Sequence, residues 1–280
     1  MVKPRHICLV LLSFLGMCWI AVWTIDLLNV GGIRDRLDAI TWANLFGNGG
    51  MVEWVQWYSL GAAALIAMLV AGRLFGRSDD GLQGLSYFWG GMAIALTLML
   101  IEDAGDVRHE IRRLTEAFTG MPRHTGLVDR IVEFTYFVLL ASVPLFTLIR
   151  FGKHLRAYRT TAFYVLGGFA FYALAASASA TRNWGQWYAH AGLRLQEGLG
   201  FVIPPDWDSL AYGHYLMDAL VEESVELIGA TLFLAAAVSA LSEVRRIEET
   251  SARSRIPDSV DRSSQPSTEM GEAPSPGKPG

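Results

Sequence analysis

Six long runs of apolar residues constrain the fold of this chain more than any other feature of its sequence. A helical run of about 18 or more apolar residues is long enough to cross the hydrocarbon core of a bilayer. The runs cover residues 7–28, 56–75, 85–104, 131–149, 161–181 and 216–241. Apolar residues fill each run as a block instead of alternating with polar ones, which indicates helices. We therefore expect an all-α, polytopic integral membrane protein with six transmembrane helices.

The two ends of the chain are expected to differ in structure. Lys3, Arg5 and His6 precede the first apolar run, as in a secretory signal peptide. That run is longer than the core of a cleavable signal, so we predict that it is a membrane anchor. From Ser251 onwards the sequence is rich in Ser, Pro and Gly and has no apolar periodicity. We predict a six-span helical domain over residues 1–250 and a disordered cytoplasmic tail over residues 251–280.

Positive charges predict which loops face the cytoplasm. They gather before the first run, in two of the loops and after the last run, at Lys3, Arg5, Arg73, Arg77, Arg150, Lys153, Arg156, Arg159, Arg245 and Arg246. If the six spans alternate, all of these positions fall on one side, and the positive-inside rule makes that side cytoplasmic. We predict a multi-pass protein of a bacterial-type inner (plasma) membrane with both termini in the cytoplasm. Membrane lipid is the expected partner, and the net charge of −4 argues against nucleic acid.

Two of the outer loops carry amphipathic patterns, which predict one or two helices on the outer face. After the third run, apolar residues recur at helical spacing at Val107, Ile111, Leu114 and Phe118. We expect the third helix to continue through them as a protruding helix. A second pattern, which predicts a helix lying in the interface, comprises Trp184, Trp187, Tyr188, Ala191 and Leu195. Asp208 or Ser209 is the expected cap of the sixth helix.

Ionisable side chains in the sixth apolar run form the most specific signal in the sequence. They recur every four residues, at His214, Asp218, Glu222 and Glu226, and Glu223 widens the row. On an α-helix this row forms one polar arc that spirals over about 120°. It descends about 18 Å from the outer interface, with Glu226 deepest. The pattern predicts a funnel that is open to the outside and closed below Glu226.

The end of the third run carries a matching group of ionisable residues. Its members are Glu102, Asp103, Asp106 and His109. A charged side chain at the centre of a transmembrane helix costs roughly 2.5–3.5 kcal/mol on insertion scales, so it is rarely left without a partner or a task. We expect an outward-facing acidic and histidine-containing cavity between spans three and six. Glu133 and His190 are secondary candidates for its lining.

A divalent metal is the first of three hypotheses for this cavity. Asp106 and His109 have the i, i+3 spacing that places a carboxylate and a histidine on one helical face. With Glu102, His214, Asp218 and Glu222 they would surround a metal of the Zn or Fe/Mn class. Such a metal could activate water for hydrolysis of an interfacial substrate. The sequence contains no His-Glu-x-x-His motif, and we assign no catalytic residue.

The other two hypotheses need no metal. The same groups could relay protons or cations in a carrier that takes a small-molecule, lipid or cation ligand from the outer face. Alternatively, the carboxylates could pair with arginines and simply hold the helices together, in a structural or partner-binding subunit. The candidate arginines are Arg108, Arg112, Arg113 and Arg130. The sequence leaves the oligomeric state open and does not decide whether the protein is an enzyme.

Overall fold

Six long helices organise the protein. The computed structural model describes residues 3–36, 40–119 and 127–253, and all regular secondary structure in these ranges is helical. Six helices in the described ranges are long and apolar enough to cross a membrane, which confirms the predicted helical class and number of spans. We call them the first to sixth spans: Pro4–Leu27, Thr41–Leu74, Asp80–Gly105, Phe134–Ala157, Arg159–Thr181 and Ser209–Arg253.

Contacts along the chain divide it into two units, Met1–Val244 and Arg245–Gly280. The first unit contains the first five spans, most of the sixth, and all of the residues of the candidate site described below. In the second unit, the described residues are the last helical turns of the sixth span, which end at Arg253. Most of the predicted tail, residues 254–280, lies outside the described residues, and its disorder stays a prediction.

The third and sixth spans begin before their apolar runs, and a capping side chain lies at the start of each. The Asp79 carboxylate accepts hydrogen bonds from the backbone N–H groups of Gly81 and Leu82, at 2.7 and 3.2 Å, and the third span begins beside it. Asp208 accepts from the N–H of Ala211 at 2.9 Å, which confirms the predicted cap of the sixth span. These carboxylates supply acceptors to N–H groups that have no partner within the helix.

The second span consists of a short helix, Thr41–Phe46, and a long one, Met51–Leu74. The long helix starts five residues before the predicted run, so it includes Glu53 as well as Gln56. Its first turns are therefore polar on one side, although the helix continues into an apolar sequence.

The third span and the helix after it are separate, which corrects the predicted continuous protrusion. Asp106 adopts a left-handed conformation (φ 47°, ψ 39°) that ends the third span. A new helix, Val107–Thr119, starts directly after it. Aspartate tolerates this conformation better than most residues because its short polar side chain can bond locally. The other amphipathic pattern forms the helix Trp187–Leu199.

A π turn, Leu216–Glu222, interrupts the upper part of the sixth span. Its hydrogen bonds run over five residues instead of four, so each turn is wider than in an α-helix. In an α-helix, four residues rotate by about 40° more than a full turn, whereas in the wider π turn they rotate by less than a full turn. The predicted spiral assumed α geometry throughout, and the π turn straightens the row from Asp218 to Glu226. Single π turns inside α-helices frequently occur at functional sites.

Small residues bring neighbouring spans close together. A Cβ atom on Gly168 would lie 2.7 Å from the Phe233 ring, and one on Gly91 would lie 2.4 Å from the Thr147 hydroxyl. Gly229 is as close to Tyr172, at 2.6 Å. Close approach of backbones is the usual means of helix association in membranes. The fourth span is the most peripheral, with 11% of its apolar window buried against 61% for the sixth.

Candidate functional site

A polar cavity of about 270 Å³ lies at the end of the bundle where the third and fifth spans finish and the second, fourth and sixth begin. Eight carboxylate side chains of the described residues line it: Glu53, Glu102, Asp103, Asp106, Asp218, Glu222, Glu223 and Glu226. The structure therefore brings together the predicted acidic residues of spans three and six. Within the described part of the chain, no lysine, arginine or histidine is among the lining residues.

Gln56 joins the two halves of this acidic cavity. Its side-chain nitrogen donates to Asp103 Oδ2 at 2.9 Å and to Glu226 Oε2 at 2.8 Å. The residue is 1% exposed, so both hydrogen bonds are shielded from water. Hydrogen bonds to charged groups are stronger than neutral ones, and a low dielectric strengthens them further. Gln56 therefore holds the second, third and sixth spans together at the floor of the cavity.

Two tyrosines donate to the carboxylates from the outer side of the bundle. Tyr136 of the fourth span donates to Glu102 Oε2, and Tyr188 of the helix Trp187–Leu199 donates to Glu222 Oε2 at 2.7 Å. Burial, with the Glu222 carboxylate beside it, raises the pKa of the Tyr188 hydroxyl above its ordinary value. The hydroxyl therefore stays protonated and keeps its donor role at physiological pH.

Arg182, directly after the fifth span, contributes positive charge next to the cavity. Its Nη1 lies 2.8 Å from Asp218 Oδ1, and its side chain is only 7% exposed. Among the arginines predicted as structural partners, Arg113 pairs with Glu110 at 2.5 Å on an exposed surface. The side chains of the other three, Arg108, Arg112 and Arg130, lie outside the described residues. Arg182, which pairs with a carboxylate of the cluster, was not among the predicted partners.

Charge balance is the main electrostatic property of the cavity. Eight carboxylates of the described residues line the cavity, and Arg182 pairs with one of them, Asp218. Crowded carboxylates in a low dielectric cannot all remain ionised, so they share protons or bind cations. The cavity therefore favours positively charged ligands, including protons.

Several buried polar atoms at the cavity have no hydrogen-bond partner among the described residues. They include the Gln56 carbonyl oxygen Oε1, Glu223 Oε2 and the indole nitrogen of Trp57, and all three residues line the cavity. The Tyr172 hydroxyl, beneath the cavity, is a fourth such atom. A buried polar group without a partner costs about 1–3 kcal/mol, so few are left in native structures. Two of the four atoms are pure acceptors, which a cation or an N–H donor would satisfy.

Two of the predicted histidines, His214 and His190, are not among the described residues that line the cavity. The ring of His214 packs edge-on against Tyr188, with 5.0 Å between ring centroids, in the first turns of the sixth span. His190 is exposed, and its Nδ1 lies 2.7 Å from the backbone carbonyl of Gln186. The side chains of His109 and Glu133 lie outside the described residues. The sequence analysis placed His214 by its spacing on one helix, but that spacing also sets it far above Glu226 along the helix axis.

No group of three or more His, Cys, Asp or Glu side chains in the described part of the chain has the arrangement of a metal site. The divalent metal of the Zn or Fe/Mn class therefore stays a prediction. The potential oxygen ligands among the described lining residues are mainly carboxylates, with the amides of Asn48 and Gln56. Such ligands suit hard cations such as Mg²⁺, Ca²⁺ or Mn²⁺ better than zinc.

An apolar cleft of about 410 Å³ adjoins the cavity. The fourth and fifth spans form most of its walls, through residues such as Phe134, Val138, Ala173 and Ala176. Four residues line both the cleft and the cavity, namely Glu102, Asp103, Phe137 and Glu226. The cleft therefore runs along the apolar surface of the spans and ends at carboxylates.

Sequence reasoning missed Glu53, Gln56, Tyr136, Tyr188 and Arg182. A usable signal existed for the first two, because they lie three residues apart on one face at the start of an apolar helix. The tyrosines and the arginine had no such signal, since their partners lie on other helices more than 30 residues away.

Comparison with known proteins does not assign this site. No protein-family model, no curated protein and no solved structure matches the chain. Function must be argued from the geometry and chemistry of the cavity.

Proposed function

We propose that the protein is a multi-pass membrane carrier whose acidic cavity binds a cation from the outer side, coupled to protons that the carboxylates exchange. One observation supports the proposal above all: in the part of the chain that the structure describes, eight carboxylates and a buried amide line a single cavity. Intramembrane carboxylates that face a bundle interior commonly mark ion pathways and proton relays. Below the cavity, apolar residues such as Met92, Leu96 and Phe233 are packed and buried, which fits a state that is closed to the other side.

The proposed membrane is a bacterial-type inner membrane, with both termini in the cytoplasm and the cavity outside. The basic residues at the opposite end of the bundle support this orientation. Reporter fusions after Arg77, Arg159 and Arg246 should report the cytoplasm, while fusions near Gly120 and Gly200 should report the outside. An outside signal after Arg159 would contradict the orientation, because the cavity would then face inwards.

Cation binding should appear as ligand-dependent stability of the purified protein in detergent. A ligand that binds the folded state at 100 times its dissociation constant adds about 2.7 kcal/mol of stability. We expect a saturable rise in Tm with at least one of Na⁺, Ca²⁺, Mn²⁺ or propylammonium. Glu226→Gln should abolish that rise while leaving the ligand-free Tm unchanged or higher. The substitution keeps an acceptor for Gln56 and removes one of several crowded charges.

Glu197→Gln is the matched control, because Glu197 is an exposed carboxylate outside the cavity. It should behave as the wild type in both respects. If Glu226→Gln and Asp106→Asn lower the ligand-free Tm and no cation changes that of the wild type, the carboxylates are structural and the proposal fails.

A metal-dependent hydrolase is the second candidate, and the oxygen-rich lining of the cavity is the observation in its favour. The carboxylates Glu102, Asp103 and Glu226 would hold the divalent metal, which would activate water when bound. Metal analysis of the purified protein separates the two candidates. A divalent metal that co-purifies stoichiometrically and is not displaced by Na⁺ or propylammonium would favour the hydrolase, whereas reversible and saturable binding of an added cation would favour the carrier.

A further inference from the structure

We infer that the ligand of this site is a long-chain primary ammonium ion, which enters sideways from the bilayer between the fourth and fifth spans. The inference rests on the proposed cation site and adds the chemical class of the ligand. A molecule that fills both the cavity and the cleft must be cationic at one end and apolar along the rest. An amine with a single alkyl chain is the simplest molecule with that character.

The cleft has the dimensions and the lining of a ligand site. Its volume of about 410 Å³ lies within the range of roughly 300–1,000 Å³ that is typical of ligand pockets. Apolar and aromatic side chains form its walls, and Pro144 of the fourth span lies among them. Proline has no N–H group, so Pro144 cannot donate to the carbonyl of Leu140, which also lines the cleft. The helix wall is therefore interrupted beside the cleft.

Charge complementarity fixes which end of the ligand lies deepest. The residues shared by the cleft and the cavity include three carboxylates, Glu102, Asp103 and Glu226. The chain would lie in the cleft, and the head group would reach these carboxylates. An anionic lipid would instead bring a net negative head group towards them, and like charges repel. The electrostatics therefore disfavour an anionic phospholipid head group at the inner end of the cleft.

Unpartnered acceptors favour an amine with N–H groups over a quaternary ammonium. Gln56 Oε1 and Glu223 Oε2 are buried and have no donor among the described residues. A primary ammonium carries three donors, while a quaternary ammonium carries none. The face of an aromatic ring also attracts a cation, and Phe137 and Tyr172 line the cleft where it meets the cavity. Tyr172 is itself held by stacking on Phe233, at 5.7 Å between centroids.

The test compares a long and a short amine against a variant that fills the cleft. Binding of dodecylammonium and propylammonium would be measured by isothermal titration in phosphatidylcholine nanodiscs, with subtraction of empty discs. Ala173→Phe places a ring in the cleft at an exposed position. We expect it to weaken dodecylammonium binding by about tenfold, as if about two methylene groups lost their apolar contacts. Binding of propylammonium should not change.

Ala170→Phe is the matched control, because Ala170 is an exposed alanine of the same span that does not line the cleft. It should bind both amines as the wild type does. Partition of the ligand into lipid is the same for all variants, so it cancels in the comparison. Glu226→Gln should weaken both amines, because both place a cation at the carboxylates.

Three results would overturn the inference. If Ala173→Phe leaves dodecylammonium binding unchanged while propylammonium still binds, the cation site stands without the cleft. If dodecanol binds as tightly as dodecylammonium and is insensitive to Glu226→Gln, the cleft is an unselective groove for acyl chains. If neither amine binds the wild type while an inorganic cation does, the ligand is inorganic. Failure of every cation to bind would remove the proposed function as well.

Discussion

Arg182→Met should lower the free energy of unfolding by about 1.5–3 kcal/mol, because it removes a charge-assisted bond to Asp218, a partly exposed carboxylate next to other carboxylates. Arg182 is nearly buried and lies 2.8 Å from Asp218. Asp218 shares the cavity with Glu222 and Glu226, so its loss of a partner adds to an existing repulsion. Thermal and denaturant unfolding of the purified protein in detergent would measure the change.

The double variant Arg182→Met/Asp218→Asn distinguishes a lost ion pair from lost packing. Removal of both charges should recover much of the stability, since no uncompensated charge then remains. Arg194→Met is the control, because Arg194 is an exposed arginine of the helix Trp187–Leu199. It should change stability by no more than about 0.5 kcal/mol. If Arg182→Met and Arg194→Met change the free energy of unfolding equally, the ion pair between Arg182 and Asp218 does not contribute to stability.

The same variant should affect cation binding in the opposite direction. Loss of Arg182 makes the cavity more negative, so a cation that binds there should bind more tightly and restore part of the lost stability. A structural cluster without a ligand would show no such recovery. In Arg182→Met, the free energy of unfolding should therefore fall while the affinity for the cation rises, and this combination is expected only if the carboxylates bind a cation.

The helical class and the six apolar helices could be predicted because a helix that crosses a bilayer must be apolar over about 20 residues, which leaves a long apolar run in the sequence. The ends of the spans could not be located as well. The second span begins in a polar sequence that includes Glu53, and the third starts at the Asp79 cap. The break at Asp106 was missed because an apolar pattern continues on both sides of it, and one left-handed residue leaves no periodic signal.

The acidic half of the site could be predicted from helical spacing alone. Asp218, Glu222 and Glu226 do line one cavity with Glu102 and Asp106. The partners that stabilise them could not be predicted, because spacing on one helix does not identify the side chains that face it from another. Gln56 is the clearest case, since it is the first residue of the predicted second run and could equally have faced lipid.

Gln56→Leu should destabilise the protein by about 3–5 kcal/mol, because one side chain satisfies two buried carboxylates. Hydrogen bonds to charged groups contribute about 1.5–3 kcal/mol each. Leucine has a similar volume, so the substitution removes the amide N–H donors of Gln56 without leaving an empty space between the spans. Asp103 and Glu226, which accept at 2.9 and 2.8 Å, would then face each other without the amide between them. Tm and denaturant midpoints in detergent would measure the loss.

Ser59→Ala is the matched control, one helical turn further along the same span. Ser59 is also buried, but its hydroxyl donates only to the Val55 carbonyl of its own helix, at 2.7 Å. We expect a change of no more than about 1 kcal/mol for this variant. Adding Glu226→Gln to Gln56→Leu should recover stability, since it removes one of the two carboxylates that the amide had served. If Gln56→Leu is neutral or stabilising, the amide merely fills space between the spans, and the carboxylates need no donor from the second span.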